Sequence, residues 1–88
     1  MDYQAIPIMS KDIISRKDSN GILLFQVQSD EMYFVTPVVY HLVIAKCNGT
    51  QTLAEISGQL PENINKKDPE IFEKFINDLI KRNIIALW

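Results

Sequence analysis

Few residues in this chain could do reactive chemistry. There is one histidine, His41, and one cysteine, Cys47. A thiol nucleophile needs a base within hydrogen-bond reach. On a shared helix these two lie six residues apart, about 240° around the axis, and cannot pair. A metal site needs several His, Cys or carboxylate ligands at short spacing. One His and one Cys do not supply them, so neither metal nor cofactor is expected. Glu55 is explained by helix capping and Asn48-Gly49 by a helix stop. No phosphate loop follows that stop, and Lys66-Lys67 read as decoration of a solvated linker. An enzyme is therefore the last of the readings. What remains is the chemistry of binding, by exposed backbone and apolar side chains.

Composition bounds the partners. The chain has 88 residues, 47% hydrophobic and 23% charged, with a formal charge of -2. That is one globular domain, 1–88, with little core to spare for an enclosed site. Lys and Arg are not gathered in one stretch: Arg16-Lys17, Lys66-Lys67 and Lys81-Arg82 are basic pairs spread along the chain, with an acid close to each. Strong attraction to nucleic-acid phosphate is not expected. A single cysteine allows no internal disulfide. The start shows no basic region followed by an apolar run, and no stretch is long and apolar enough for a membrane span. The expectation is a cytoplasmic protein with no membrane partner, as a monomer or weak homodimer.

The elements follow from local signals. Residues 1–11 read as a loose lead-in, with Pro7 against helix. Asp12 to Lys17 can form a short strand. Asp18-Ser19-Asn20-Gly21 is a turn in which Asn-Gly supplies positive φ. Ile22 to Gln28 alternates, with Leu23, Phe25 and Val27 on one face and Gln26 and Gln28 on the other. Ser29-Asp30 connects to the strand Glu31 to Val35, where Met32 and Phe34 share one face and Tyr33 and Val35 the other. This is a three-stranded antiparallel meander.

The second half reads as helical. Thr36-Pro37 is a cap followed by proline, opening a buried helix over Val38 to Cys47. Thr52-Leu53-Ala54-Glu55 is a capping box; its helix carries Leu53, Ile56 and Leu60, and Pro61 stops it. Glu62 to Lys67 is a polar linker. Asp68-Pro69 opens a third helix with Phe72, Phe75, Ile76 and Leu79 as its stripe. Asn83 suits its left-handed end. Ile84 to Trp88 is an apolar tail that packs back, with Trp88 closing the core or left as an exposed end. Three strands followed by three helices give an α+β, winged helix-turn-helix-like domain.

One stretch carries a resemblance. Phe34-Val35-Thr36-Pro37, a helix ending Ala45-Lys46-Cys47, and Asn48-Gly49-Thr50-Gln51-Thr52-Leu53-Ala54-Glu55-Ile56 resemble the PqqD family. Phe75-Ile76-x-x-Leu79 followed by Asn83-Ile84-Ile85 is similar to that family's last helix. The similarity covers roughly Asp12 to Leu87. Asn48 stands where aspartate is usual, and Thr36-Pro37 replaces an asparagine-led entry. The turn and the helix start keep their chemistry, while a direct role in pyrroloquinoline quinone synthesis is put in doubt. The resemblance implies a recognition element for ribosomally made, post-translationally modified peptides. The leader of a precursor would add as an antiparallel strand to the third strand and be presented to a modifying enzyme or leader protease. Free-standing chains of this size also resemble the leader-binding proteins of lasso-peptide pathways.

On that reading the peptide-binding residues are Glu31, Met32, Tyr33, Phe34 and Val35 of the edge strand, with Ile71, Lys74, Phe75 and Asp78 of the third helix. Ile71 and Phe75 would form an apolar floor and Lys74 and Asp78 a polar rim. The opposite flank, Glu73 and Ile80, is the alternative. Ile71 and Phe75 can equally be plain core, and Tyr33 a half-buried sheet residue without a ligand. An edge offers unpaired N–H and C=O groups, so main-chain bonds give affinity and side-chain pockets give specificity. The competing functions are a winged-helix DNA-binding regulator, disfavoured by the mixed charges of the third helix, and a subunit that dimerises through its sheet edge.

Overall fold

A computed structural model describes residues 1–61 and 69–87. In chain order the elements are β1 (Pro7–Met9), β2 (Ile13–Asp18), β3 (Gly21–Gln26), β4 (Glu31–Val35), α1 (Pro37–Leu42), a 3₁₀ turn (Ile44–Lys46), α2 (Leu53–Gly58), α3 (Pro69–Lys81) and β5 (Ile85–Leu87). The protein is α+β. Its main sheet is the antiparallel meander β2-β3-β4, and the helices follow it.

The meander forms where the alternation places it, with two differences. Ser19 and Asn20 make the first turn, and neither has a positive φ. Gly21 serves space instead: a Cβ there would lie 2.5 Å from Phe34 Cζ and against the Val35 carbonyl oxygen. The buried face of β3 is Ile22, Leu24 and Gln26, whereas Leu23 and Phe25 are half-buried and Val27, with Gln28, lies in the next turn. Both faces of β3 are apolar, so alternation alone does not choose the core. The choice goes to the face whose cross-strand partners include Tyr33 and Val35, where Gln26 also finds a hydrogen-bond partner. Asp30 takes the left-handed conformation that closes the second turn, at φ 59°.

The helix caps form as their residues require. Thr36 Oγ1 accepts from the Val39 N–H at 3.3 Å. Thr52 Oγ1 accepts from the Glu55 N–H at 3.2 Å, and Glu55 Oε1 from the Thr52 N–H at 3.0 Å, completing the capping box. The helix expected over Val38 to Cys47 is broken, however. Val43 leaves helical geometry at φ −125°, ψ −63°, and a 3₁₀ turn follows. A run rich in β-branched residues holds a helix weakly. No residue of α1 is buried; Val43, Ile44 and Cys47 beyond it are. Helix α2 ends at Gly58, short of Leu60.

Helix α3 buries Phe72, Ile76 and Leu79, the centre of its stripe. Its end is a Schellman motif around Asn83 at φ 58°. The Asn83 N–H donates to the Ile80 carbonyl at 3.0 Å and the Ile84 N–H to the Leu79 carbonyl at 2.9 Å. The expected Asp68 cap, the linker 62–67 and Trp88 lie outside the described residues.

The largest difference is at the ends. Residues 1–11 are not a loose lead-in: β1 pairs with β5, Pro7 opposite Leu87 and Met9 opposite Ile85. The Met9 N–H donates to the Cys47 carbonyl at 2.8 Å, the Leu53 N–H to the Ala5 carbonyl at 2.9 Å, and the Ala54 N–H to the Tyr3 carbonyl at 2.9 Å. Ala5 and Pro7 are buried, and Ile84 and Ile85 complete the core from the other end. The first residues thus clasp the corner between the 3₁₀ turn and α2. A chain begun at Ser10 should lose on the order of 2–5 kcal/mol of stability, as for removal of a large core side chain. Urea unfolding of the two chains measures this; equal midpoints would show the clasp to be ornamental.

Candidate functional site

The site begins with β4, which has one strand neighbour among the described residues. Its register with β3 runs from Gln26↔Glu31 to Ile22↔Val35. The direction in which each backbone group points follows from the other side of β3. The Val27 N–H donates to the Asp12 carbonyl at 3.0 Å, so Asp12 and Val27 are a hydrogen-bonded pair. In an antiparallel ladder such pairs alternate with non-bonded ones. Counting along β2–β3, Ile14↔Phe25, Arg16↔Leu23 and Asp18↔Gly21 are bonded pairs. Ile22, Leu24 and Gln26 then direct their backbone groups at β4, where Val35, Tyr33 and Glu31 receive them. Met32 and Phe34 are left with N–H and C=O aimed at the open side. Among the described residues nothing hydrogen-bonds to those groups. The N-terminal segment, which could have covered this edge, is engaged with β5 instead.

On the inner side of the edge, the C-terminal end of α3 approaches β4 at Tyr33. On the helix Ile71, Phe75, Asp78 and Arg82 fall on one flank, at spacings of one to three turns. Arg82 Nε lies 3.1 Å from both Asp78 carboxylate oxygens. Its guanidinium carbon sits 5.0 Å from the centroid of the Tyr33 ring, a cation–π contact. The Asp78 flank is therefore the one beside β4. The Glu73 flank faces elsewhere: the Tyr3 hydroxyl donates to Glu73 Oε1 at 3.0 Å, and the Tyr3 ring stacks on Phe72.

The nominated residues are thus distributed unevenly. Tyr33 and Asp78 meet; Glu31, Met32 and Tyr33 share a shallow depression with Gln26, Arg82 and Ile84. Phe75 is half-buried against the core, while Ile71 is 57% exposed one turn further back. Lys74 is exposed on the same side, and Val35 is core rather than lining, at 4% exposure. Sequence reasoning missed Arg82 and Gln26. The spacing of Asp78 and Arg82, four residues on a helix, is a known ion-pair signal. Gln26 sits in phase with Ile22 and Leu24, which marks it as a buried amide.

Burial governs the electrostatics of Tyr33 and Cys47. Burial raises the Tyr33 phenol above its ordinary value; the Asp78 carboxylate adds to this and Arg82 opposes it. Burial pushes the Cys47 thiol up to about 12, and its Sγ donates to the Val43 carbonyl at 3.3 Å. A thiol held protonated in the core is no nucleophile. Among the described residues no group of His, Cys, Asp and Glu could hold a metal ion, and no helix is long and apolar enough to cross a membrane. Comparison with protein-family models, curated proteins and solved structures returned no match.

Two measurements check this geometry. Asp78→Asn should lower the Tyr33 phenol pKa, read by tyrosinate absorbance or ring-carbon shifts, because it removes an anion and leaves the Arg82 cation unopposed. The sign for stability follows: the fold favours the neutral phenol, so Tyr33 contributes below about pH 10 and loses that contribution as pH rises through its raised value. An unchanged Tyr33 titration would separate the two side chains. Cys47 should react with a thiol reagent only as fast as the chain opens; rapid labelling of the native protein would contradict its burial.

Proposed function

We propose that this protein is a recognition element that holds the leader of a precursor peptide as an added strand on β4 and presents it to a modifying enzyme or leader protease. It works by binding rather than by catalysis, in the compartment where the precursor is made, the cytoplasm. The observation that carries the reading is the open edge: Met32 and Phe34 point their backbone groups outward, beside a groove flanked by the Asp78 side of α3. The resemblance of the Thr36 to Ile56 stretch to the PqqD family supports the same use. The mixed charges of α3, with Glu70, Lys74, Asp78 and Lys81 on one helix, do not favour a DNA reader.

Magnitudes fit a peptide guest. Two outward residues offer two N–H and two C=O groups. Bonds to them would contribute on the order of 2–6 kcal/mol, against an ordering cost for a flexible peptide of about 2–5 kcal/mol. The ladder therefore gives alignment and little surplus. Guest side chains beside the ladder add about 0.2–1 kcal/mol each, so the expected affinity is weak, no tighter than about tens of micromolar.

The direction of the backbone groups makes the test specific. Met32→Pro removes an outward N–H and a side chain that is 67% exposed, and leaves the β3–β4 bonds alone. In calorimetry with the leader of a precursor encoded beside this gene, it should lower affinity about tenfold or more, while Met32→Ala, which keeps the outward N–H and loses only side-chain contact, should cost no more than about fivefold. Tyr33→Pro should instead damage the sheet and the melting temperature. Unaltered affinity in both Met32→Pro and Phe34→Pro would rule out strand addition on β4. A steep loss of binding to duplex DNA as salt rises, where leader binding is absent, would favour the DNA reading.

A further inference from the structure

We propose that the guest strand is selected by two apolar side chains, two positions apart, that seat on the outer face of the sheet beside Met32 and Phe34. This rests on the strand-addition reading and adds to it which guest side chains are read, and on which face.

Cross-strand partners share a face. Ile14, Phe25 and Met32 are in register and form one row; Arg16, Leu23 and Phe34 form the next. These rows lie on the side of the sheet away from the helices. They stay open: Ile14 is 58% exposed, Met32 67% and Phe34 49%. A contiguous apolar face of this kind on a small protein marks an interaction surface.

The two edges of the sheet differ in a way that names the occupant. Natural edges are blunted by charged side chains. The strand β2 follows that rule with Arg16, Lys17 and Asp18 in sequence. The strand β4 carries one charge, Glu31 at its start, and then Met32, Tyr33, Phe34 and Val35. The apolar ends of both rows, Phe25-Met32 and Leu23-Phe34, therefore lie at the unblunted edge, next to the residues whose backbone groups are free to pair among the described residues. A guest strand continues the rows. Its residues opposite Met32 and Phe34 land on the outer face as i and i+2. The residue between them lands on the inner face opposite Tyr33, beside Arg82 and Asp78, where a polar side chain is suited. The recognised chemistry is an extended apolar-x-apolar segment. Since the main-chain ladder barely exceeds the cost of ordering, these two side chains decide which peptides bind.

The test uses the full chain, immobilised, and a display library of random dodecapeptides. Enriched peptides should carry an apolar-x-apolar segment, and replacing either apolar residue by serine should weaken binding up to about fivefold. The protein variant Met32→Ser with Phe34→Ser should bind the enriched peptides about tenfold more weakly at a retained melting temperature. Peptides that need the edge, being lost with Met32→Pro, but that lack the apolar pair would overturn this inference and leave strand addition standing. Peptides indifferent to Met32→Pro, or no enrichment, would overturn both. Sedimentation showing a dimer of the wild-type chain that the serine variant dissolves would assign the face to a second copy and overturn the inference. The enrichment pattern is read on the wild-type protein, so a serine variant that fails to fold does not remove the test.

Discussion

The side-chain amide of Gln26 ties the sheet to the end of α3. Its Nε2 donates to the Asn83 carbonyl at 2.7 Å, and its Oε1 accepts from the Gln28 N–H at 3.1 Å. Gln26 is 4% exposed, so both bonds form where water competes poorly. A buried amide without partners would be costly, and the helix end and the turn together satisfy it here. One side chain thereby sets the separation between β3 and the C-terminus of α3, and shapes the turn that delivers the chain into β4. The left-handed Asn83 and its two capping bonds hold the carbonyl that Gln26 requires.

From that tie the site follows. With the end of α3 fixed against β3, Arg82 comes to lie over the Tyr33 ring, and Asp78 holds Arg82 from the preceding turn. The helix is anchored to the core by Phe72, Ile76 and Leu79, and on its far side by Tyr3 on Glu73. Asp78 and Arg82 thus meet β4 at Tyr33. The strand itself needs no special chemistry. On the proposed reading it needs one unoccupied side, and among the described residues that side is free, the N-terminal segment being paired with β5 rather than with β4.

What was legible in the sequence was local. Thr36, the Thr52–Glu55 box and Asn83 act on backbone groups within a few residues, so their signals survive without tertiary context. The bounds and alternation of β4 were legible for the same reason. The pairing of β1 with β5 was not, because two three-residue strands from opposite ends carry no pattern of their own. The inner face of β3 was not, because Ile22-Leu23-Leu24-Phe25 is apolar on both sides and the decision falls to cross-strand partners. The break at Val43 reflects tertiary demand on a run with weak helix propensity. For the candidate site, which flank of α3 lies nearer β4 was not legible, because it needed Tyr3 and Arg82 to be placed. The direction of the Met32 and Phe34 backbone groups needed a register, which no single strand contains.

Amide hydrogen exchange along β4 in the protein without a guest addresses the central claim directly, since it reads each N–H separately. The account predicts that Met32 and Phe34 exchange quickly while Tyr33 and Val35 are protected by β3, and that a bound peptide slows the first pair. Protection of Met32 and Phe34 in the free protein, equal to that of Tyr33, would mean the edge is already occupied and would contradict the account.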